Sequence, residues 1–240
     1  MMRVFTTLFV AVALAGGALF AQEPEPVPFE PDYTFSGLSG GVWRIGLSPL
    51  NEALERAGYP ALPPFAFCYG QESIVGLIDG PRLGISVGYG RTASRVEARR
   101  AELRVTLGAG VVEWGVPRGS NASIAFGFAL GAGTSVLTLV DHRPETFDEA
   151  LAIPFRSKMD GWLYTVEPSV SAGGTPLPGL DLKLRVGYRF AFGCSWRAEA
   201  APLDRPIDAL AGPVLRASFQ IAAEELLAAT TGDEEAGRPE

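Results

Sequence analysis

Histidine is almost missing from this 240-residue chain, with His142 its single copy, and cysteine is limited to Cys68 and Cys194. One imidazole and two thiols so far apart do not make the four-ligand set of an ordinary zinc site, so no metal centre is expected. His142 lies beside Asp141 in Val140-Asp141-His142-Arg143-Pro144. It could act as a general base only with a nucleophile or second acid in hydrogen-bond reach, and the sequence names none. No catalytic residue and no cofactor are therefore assigned, and the chain is read as non-enzymatic. Basic blocks are missing too: 20 Lys and Arg face 27 Asp and Glu, a formal net charge of −7. That balance argues against nucleic acid or anionic lipid headgroups as partners. Beyond the N-terminus no run nears the roughly 18 apolar residues of a membrane-spanning helix.

The N-terminus has such a run, but in the form of a secretory signal. Arg3 is its lone charge, Val4 to Phe20 is uncharged and mostly apolar, and Ala21 offers a small residue for cleavage before Gln22. Glu23 and Glu25 follow with no basic flank, so residues 1–21 are expected to be removed. Residues 22–32, rich in Pro and Glu, read as an extended tether. The ordered domain is expected over 33–223, and the acidic residues 224–240 read as a disordered tail.

What the domain does contain is alternation. From Leu180 to Trp196 every second residue is large and apolar or Cys, while Asp181, Lys183, Arg185 and Arg189 occupy the other parity. Period two is the pattern of a β-strand with two unlike faces. Seven further runs share it, starting near Gly41, Phe65, Leu83, Glu102, Ile124, Trp162 and Val214. In the run from Glu102 the apolar parity changes from Leu103, Val105 and Leu107 to Val112, Trp114 and Val116, which suggests a β-bulge near Gly108–Val111. A short helix is expected over Ser48–Gly58, with Ser48 as N-cap, Pro49 in the first turn and Gly58 after the last. The connections alternate without exception. Those near Asp79–Arg82, Pro117–Asn121 and Ala172–Gly179 are short and rich in Gly or Pro. Those near Ser48–Pro64, Thr92–Ala101, Asp141–Gly161 and Ala198–Gly212 are long. The fold class implied is all-β, an antiparallel up-and-down barrel of about eight strands with short helices in its loops. A two-sheet sandwich accommodates the same alternation.

With its signal segment, even strand count, loop alternation and one-sided apolar strands, the chain resembles the small eight-stranded outer-membrane β-barrel proteins of diderm bacteria over about Gly41 to Ala223. The resemblance rests on pattern and not on a diagnostic motif. It implies an outer-membrane location with lipid against the apolar faces, a structural role or one mediated by surface loops, and an envelope or surface partner met by the long loops. It implies aromatic girdles, for which Trp43, Trp114, Trp162 and Trp196 are the candidates. It also turns the polar face into a lumen carrying Arg44, Glu102, Arg104, Glu167, Asp181, Lys183, Arg185, Arg189 and Arg216. Cations and carboxylates of such a lumen are expected to pair. Cys68 and Cys194 fall on opposite faces of their strands, so free thiols are expected. The other reading is a soluble exported β-domain, periplasmic or secreted, that binds a ligand or an envelope partner.

Three further motifs carry little. Gly131-Ala132-Gly133-Thr134 lacks the lysine and helix start of a phosphate loop. Glu145, Asp148, Glu149 and Asp160 lack the fixed spacing of a calcium loop. Asn121-Ala122-Ser123 matches a glycosylation sequon and is taken as coincidence.

Overall fold

The computed structural model describes residues 31–119, 121–141, 156–198, 201–202 and 209–222. The signal, the tether up to residue 30, the tail, His142, Glu145, Asp148 and Glu149 lie outside the described residues.

Period-two segments become strands, as their alternation requires: β1 (Tyr33–Arg44), β2 (Phe65–Gly76), β3 (Gly80–Val96), β4 (Arg99–Pro117), β5 (Ala122–Val140), β6 (Arg156–Leu177), β7 (Leu180–Ala198), the two-residue β8 (Ala201–Pro202) and β9 (Ala209–Ile221). Each of the eight long strands pairs antiparallel with its neighbours, and β9 closes on β1, from Leu38↔Phe219 to Trp43↔Val214. The result is the closed eight-stranded up-and-down barrel; β8 only extends the rim by pairing with the end of β7. Closure leaves no free sheet edge, which a sandwich would have.

The barrel has a short-turn end and a rim. At the short-turn end β2 and β3, β4 and β5, and β6 and β7 are joined by residues 77–79, 118–121 and 178–179. The rim differs from expectation. The segment near Thr92–Ala101 is no loop, because β3 and β4 stay paired out to Val96↔Arg99 around a two-residue turn at Glu97 and Ala98. Likewise β5 and β6 stay paired out to Val140↔Arg156. Residues assigned to loops therefore lengthen the barrel.

Helix α1 (Ser48–Arg56) sits between β1 and β2. Its N-cap is Leu47, not Ser48, and no side chain caps it. Pro49 fits the first turn because its missing N–H has no partner to lose there. At the other end the Gly58 N–H donates to the Glu55 carbonyl at 2.9 Å and the Tyr59 N–H to Leu54 at 2.8 Å, with Gly58 at φ +79°. This is a Schellman stop, and Gly adopts its left-handed backbone without strain. The Asn51 side chain then holds the exit segment, donating to the Leu62 carbonyl and accepting from the Leu62 N–H.

The expected bulge is absent from β4, which pairs without interruption from Arg100↔Val140 to Pro117↔Ser123. It is β7 that bulges. Between Trp162↔Ser195 and Tyr164↔Phe192, one residue of β6 faces two of β7, and Gly193 there has φ +78°. The extra residue inverts the parity of β7 beyond it.

Candidate functional site

Two zones of opposite design make up the barrel. On β4, Leu103, Val105 and Leu107 point inward and are buried, while Arg104 and Thr106 point outward. Further toward the short-turn end the same inward parity carries Glu113, and the outward parity carries Val112 and Trp114. The strand thus keeps its phase while the chemistry of its two faces is exchanged. β5 repeats this: Leu137 and Leu139 fill the interior near the rim, whereas Phe126, Phe128 and Leu130 lie exposed outside nearer the short turns.

Near the rim the lumen is an apolar core. Trp43, Ile45, Leu47, Leu103, Leu137, Leu163, Trp196 and Leu210 pack with Leu50 and Leu54 of α1 and with Leu62. Trp43 and Trp196 are fully buried in it. They are therefore not girdle residues, which corrects the expectation for both. For Trp196 the cause is the bulge at Gly193; for Trp43 it is that β1 turns its Trp43-Ile45-Leu47 face inward over α1. Trp114 and Trp162 do lie outside, each 57 % exposed.

Below this core the lumen is charged. Lys183 Nζ lies 2.8 Å from Glu113 Oε1 and 3.1 Å from Glu72 Oε1. Arg185 spans the same two carboxylates, with Nη2 3.0 Å from both Glu72 Oε1 and Glu113 Oε2. These bonds tie β7 to β2 and β4 across the lumen. Arg82 lies 3.7 Å from Glu113 and uses its Nε and Nη2 to hold the carbonyls of Leu77 and Ile78 in the β2–β3 turn, at 2.8 and 2.7 Å. A second group sits closer to the core, where Glu167 accepts from Arg189 Nε at 2.8 Å and also from Arg216, whose Nη1 reaches Ser86 Oγ at 3.3 Å. All eight side chains are buried.

Five cations thus face three carboxylates. The excess positive charge is met by aromatic faces of β1: the Arg82 guanidinium carbon is 3.6 Å from the Tyr33 ring centroid, Arg189 is 4.8 Å from Trp43, and Lys183 Nζ is 5.8 Å from Phe35. The negative face of a π system stabilises a nearby cation, more so away from water. A void of about 40 Å³ beside Cys68, Glu167 and Arg216 leaves room for a water or two, not a channel. Cys68 points into it as a free thiol.

The structure thus brings Glu167, Lys183, Arg185, Arg189 and Arg216 together in the lumen. Asp181 is half-buried at the short-turn end, where Thr175 donates to it. Arg44, Glu102 and Arg104 do not belong to the lumen. Arg44 has the outward parity of β1, because Trp43 and Ile45 point in. Glu102 and Arg104 have the outward parity of β4, opposite to Leu103. Glu72, Arg82 and Glu113 complete the cluster and are not among the candidates drawn from the sequence. Parity alone could have found them: each alternates with an outward apolar residue or stands in phase with Cys68.

Outside, an apolar belt circles the short-turn zone. It includes Leu38, Phe67, Leu83, Ile85, Val112, Phe126, Leu130, Val170, Leu184, Val186, Phe190 and Leu215, all well exposed. A continuous apolar surface on so many strands is unusual for a soluble monomer. Tyr89 of β3, whose ring is 5.0 Å from that of Tyr69, and Trp162 of β6 lie at its rimward edge on those strands. Beyond them Glu102 accepts from Arg100 and Arg104, and its Oε1 lies 2.9 Å from Arg91 Nε. Burial opposes ionisation of this carboxyl, but the Arg104 hydrogen bond and the charges of Arg100, Arg104 and Arg91 override it, holding its pKa below the ordinary value.

No protein-family model matches the chain, and no curated protein matches it. Among solved structures it is similar to Neisserial surface protein A, at 10 % identity and TM-score 0.42, over 78 % of this chain and 96 % of that one. It is also similar to Ail, the attachment invasion locus protein of Yersinia pestis, at 9 % identity and TM-score 0.42, again over 78 % and 96 %.

Proposed function

We propose that this protein is an integral outer-membrane β-barrel, closed to flow and without enzymatic activity, whose lengthened rim serves a structural or surface-contact role. The observation that carries this reading is the exchange of polarity along β4 and β5, which pair without a change of phase. A water-soluble barrel has no use for an apolar exterior over one zone and a charged, ion-bridged interior behind it. In lipid both are required, because the outer wall must be apolar and the lumen must hold its charges in pairs. The outward apolar run on β7, Leu182 to Phe192, has the roughly 9–11 residues a tilted strand needs to cross. The packed core under α1 and the ion-pair layer beneath it support the absence of a pore.

The test is fractionation with a gel-mobility readout. The expected protein stays with membranes through a carbonate wash, migrates differently boiled and unboiled, and opens no steady conductance in planar bilayers. Replacing the mid-belt Val186 by Arg should cost about 2–4 kcal/mol of folding stability in lipid. A protein released by carbonate, with one mobility and indifferent to Val186→Arg, overturns the reading.

A further inference from the structure

We propose that the outward face of β3, β4 and β6 just rimward of the belt is a binding site for the phosphate groups of an anionic lipid headgroup in the surrounding leaflet. The chain as a whole is acidic, yet this patch is not. Arg91 and Arg95 of β3, Arg100 and Arg104 of β4, and Arg156 and Lys158 of β6 share one outward face, since the ladders place Arg91↔Arg104, Arg95↔Arg100↔Val140 and Val140↔Arg156 side by side. Among the described strand residues of that face, Glu102 and Asp160 oppose them, leaving a charge of +4 on the strands of a chain of −7, with Glu97 in the β3–β4 turn and Asp141, paired with Arg99, at its margin.

Glu102 is the organiser. Its carboxylate is only 5 % exposed beneath Arg91, Arg100 and Arg104, which are 48 %, 40 % and 44 % exposed. One anion thus fixes three guanidiniums in place and leaves their outer N–H groups turned to solvent. A fixed guanidinium matches a phosphate through paired N–H···O bonds and loses less rotamer freedom on binding than a free one. Arg156 lines the same groove and carries no ion pair among the described residues. Lys158 is paired with the exposed Asp160 at 3.2 Å.

Position selects the source of the phosphate. Arg91 and Arg104 stand one same-face step beyond Tyr89 and Thr106 in the ladder, and Tyr89 and Trp162 mark the belt's edge on β3 and β6, while on β2 the exposed aromatic Phe67 stands opposite Arg91. Such aromatic residues sit at headgroup depth when a barrel is in lipid. The phosphates of the enclosing leaflet then lie level with the guanidiniums. This step rests on the membrane reading above.

The experiment uses the full barrel in phosphatidylcholine nanodiscs, with and without a minor fraction of lipid A as the phosphate-bearing probe, and counts retained probe by native mass spectrometry. Arg156→Gln tests the site without disturbing Glu102, Arg104→Gln removes an organised guanidinium, and Arg44→Gln controls for an exposed cation elsewhere on the wall. Retention is expected to fall about fivefold for each patch guanidinium removed, to weaken with added salt, and to be unchanged by Arg44→Gln. Equal losses in all three variants, or none in any, overturn the proposal. Inositol hexakisphosphate bound as tightly as lipid A by the detergent-solubilised barrel overturns the lipid source. A chain that never enters nanodiscs fails the membrane reading instead, whereas one that enters and retains no probe fails the site alone.

Discussion

Glu113→Gln should destabilise the barrel more than Lys183→Met, although the two residues are partners in one ion pair. The lower lumen cluster holds Arg82, Lys183 and Arg185 against Glu72 and Glu113. It begins with one positive charge in excess. Removing Glu113 raises the excess to two and leaves three buried cations on Glu72 alone. Removing Lys183 brings the cluster to balance, with Arg185 still bridging both carboxylates. Leaving a buried charge unpaired costs about 3–5 kcal/mol. That range applies to Glu113→Gln, with the amide oxygen retaining part of the hydrogen bonding, and corresponds to a change of roughly 10²–10⁴ in the folding equilibrium. Lys183→Met keeps much of the stem's packing and should cost about 1 kcal/mol, as a volume-conserving swap does. Adding Lys183→Met to Glu113→Gln should recover part of the loss. The assay is urea unfolding in lipid vesicles, followed by the fluorescence of Trp43 and Trp196, both buried on folding. Equal losses for the two single variants, or the reverse order, refute the charge-balance argument.

Gly193→Ala should cost about 1–2 kcal/mol in the same assay, because a left-handed backbone strains any residue with a Cβ, and its new methyl would meet the Tyr164 ring at 3.1 Å. Leu54→Ala, in the face of α1 that seals the core, should cost about 2–5 kcal/mol and expose the α1 segment to protease before the barrel opens. Glu102→Gln should matter only when the carboxylate is ionised. The folded pKa is lowered, so the contribution is complete above the unfolded value of about 4.3 and fades as pH falls from there through the folded one. The stability gap between wild type and Glu102→Gln should thus close in acid, and a gap independent of pH would disprove the linkage.

Strand number, antiparallel order and the short-turn end were legible because period two and Gly/Pro turns are local signals. So was the inward parity of Lys183, Arg185 and Arg189, which lie on one uninterrupted stretch of β7. The errors share one cause. Treating apolar as outward along every strand forced a bulge into β4 and put Trp43 on the wall, since Leu103, Val105, Trp43 and Ile45 face inward where the lumen itself is apolar. The bulge at Gly193 was hidden because Phe192, Cys194 and Trp196 keep an unbroken alternation across it. Glu72 is hard to place from the sequence because it follows Gln71 and precedes Ser73, so that its parity has to be carried from Phe67 and Tyr69, and Glu113 falls in the stretch of β4 where the supposed bulge reverses the faces. No local pattern says which cation meets which carboxylate across a lumen.

The exchange of polarity along the staves also guards the fold against slippage. In an ordinary half-buried sheet a one-residue shift of a strand mis-sorts one set of apolar side chains. In the proposed lipid setting, the same slip on β4 would turn Leu103 and Val105 out to water at one end and Glu113 out to hydrocarbon at the other. Two penalties of unlike physical origin, lost burial and a charge in a medium without water, arise from one displacement and cannot offset each other. Under that reading a one-residue slip is penalised at both ends of the strand at once, which favours its correction during assembly.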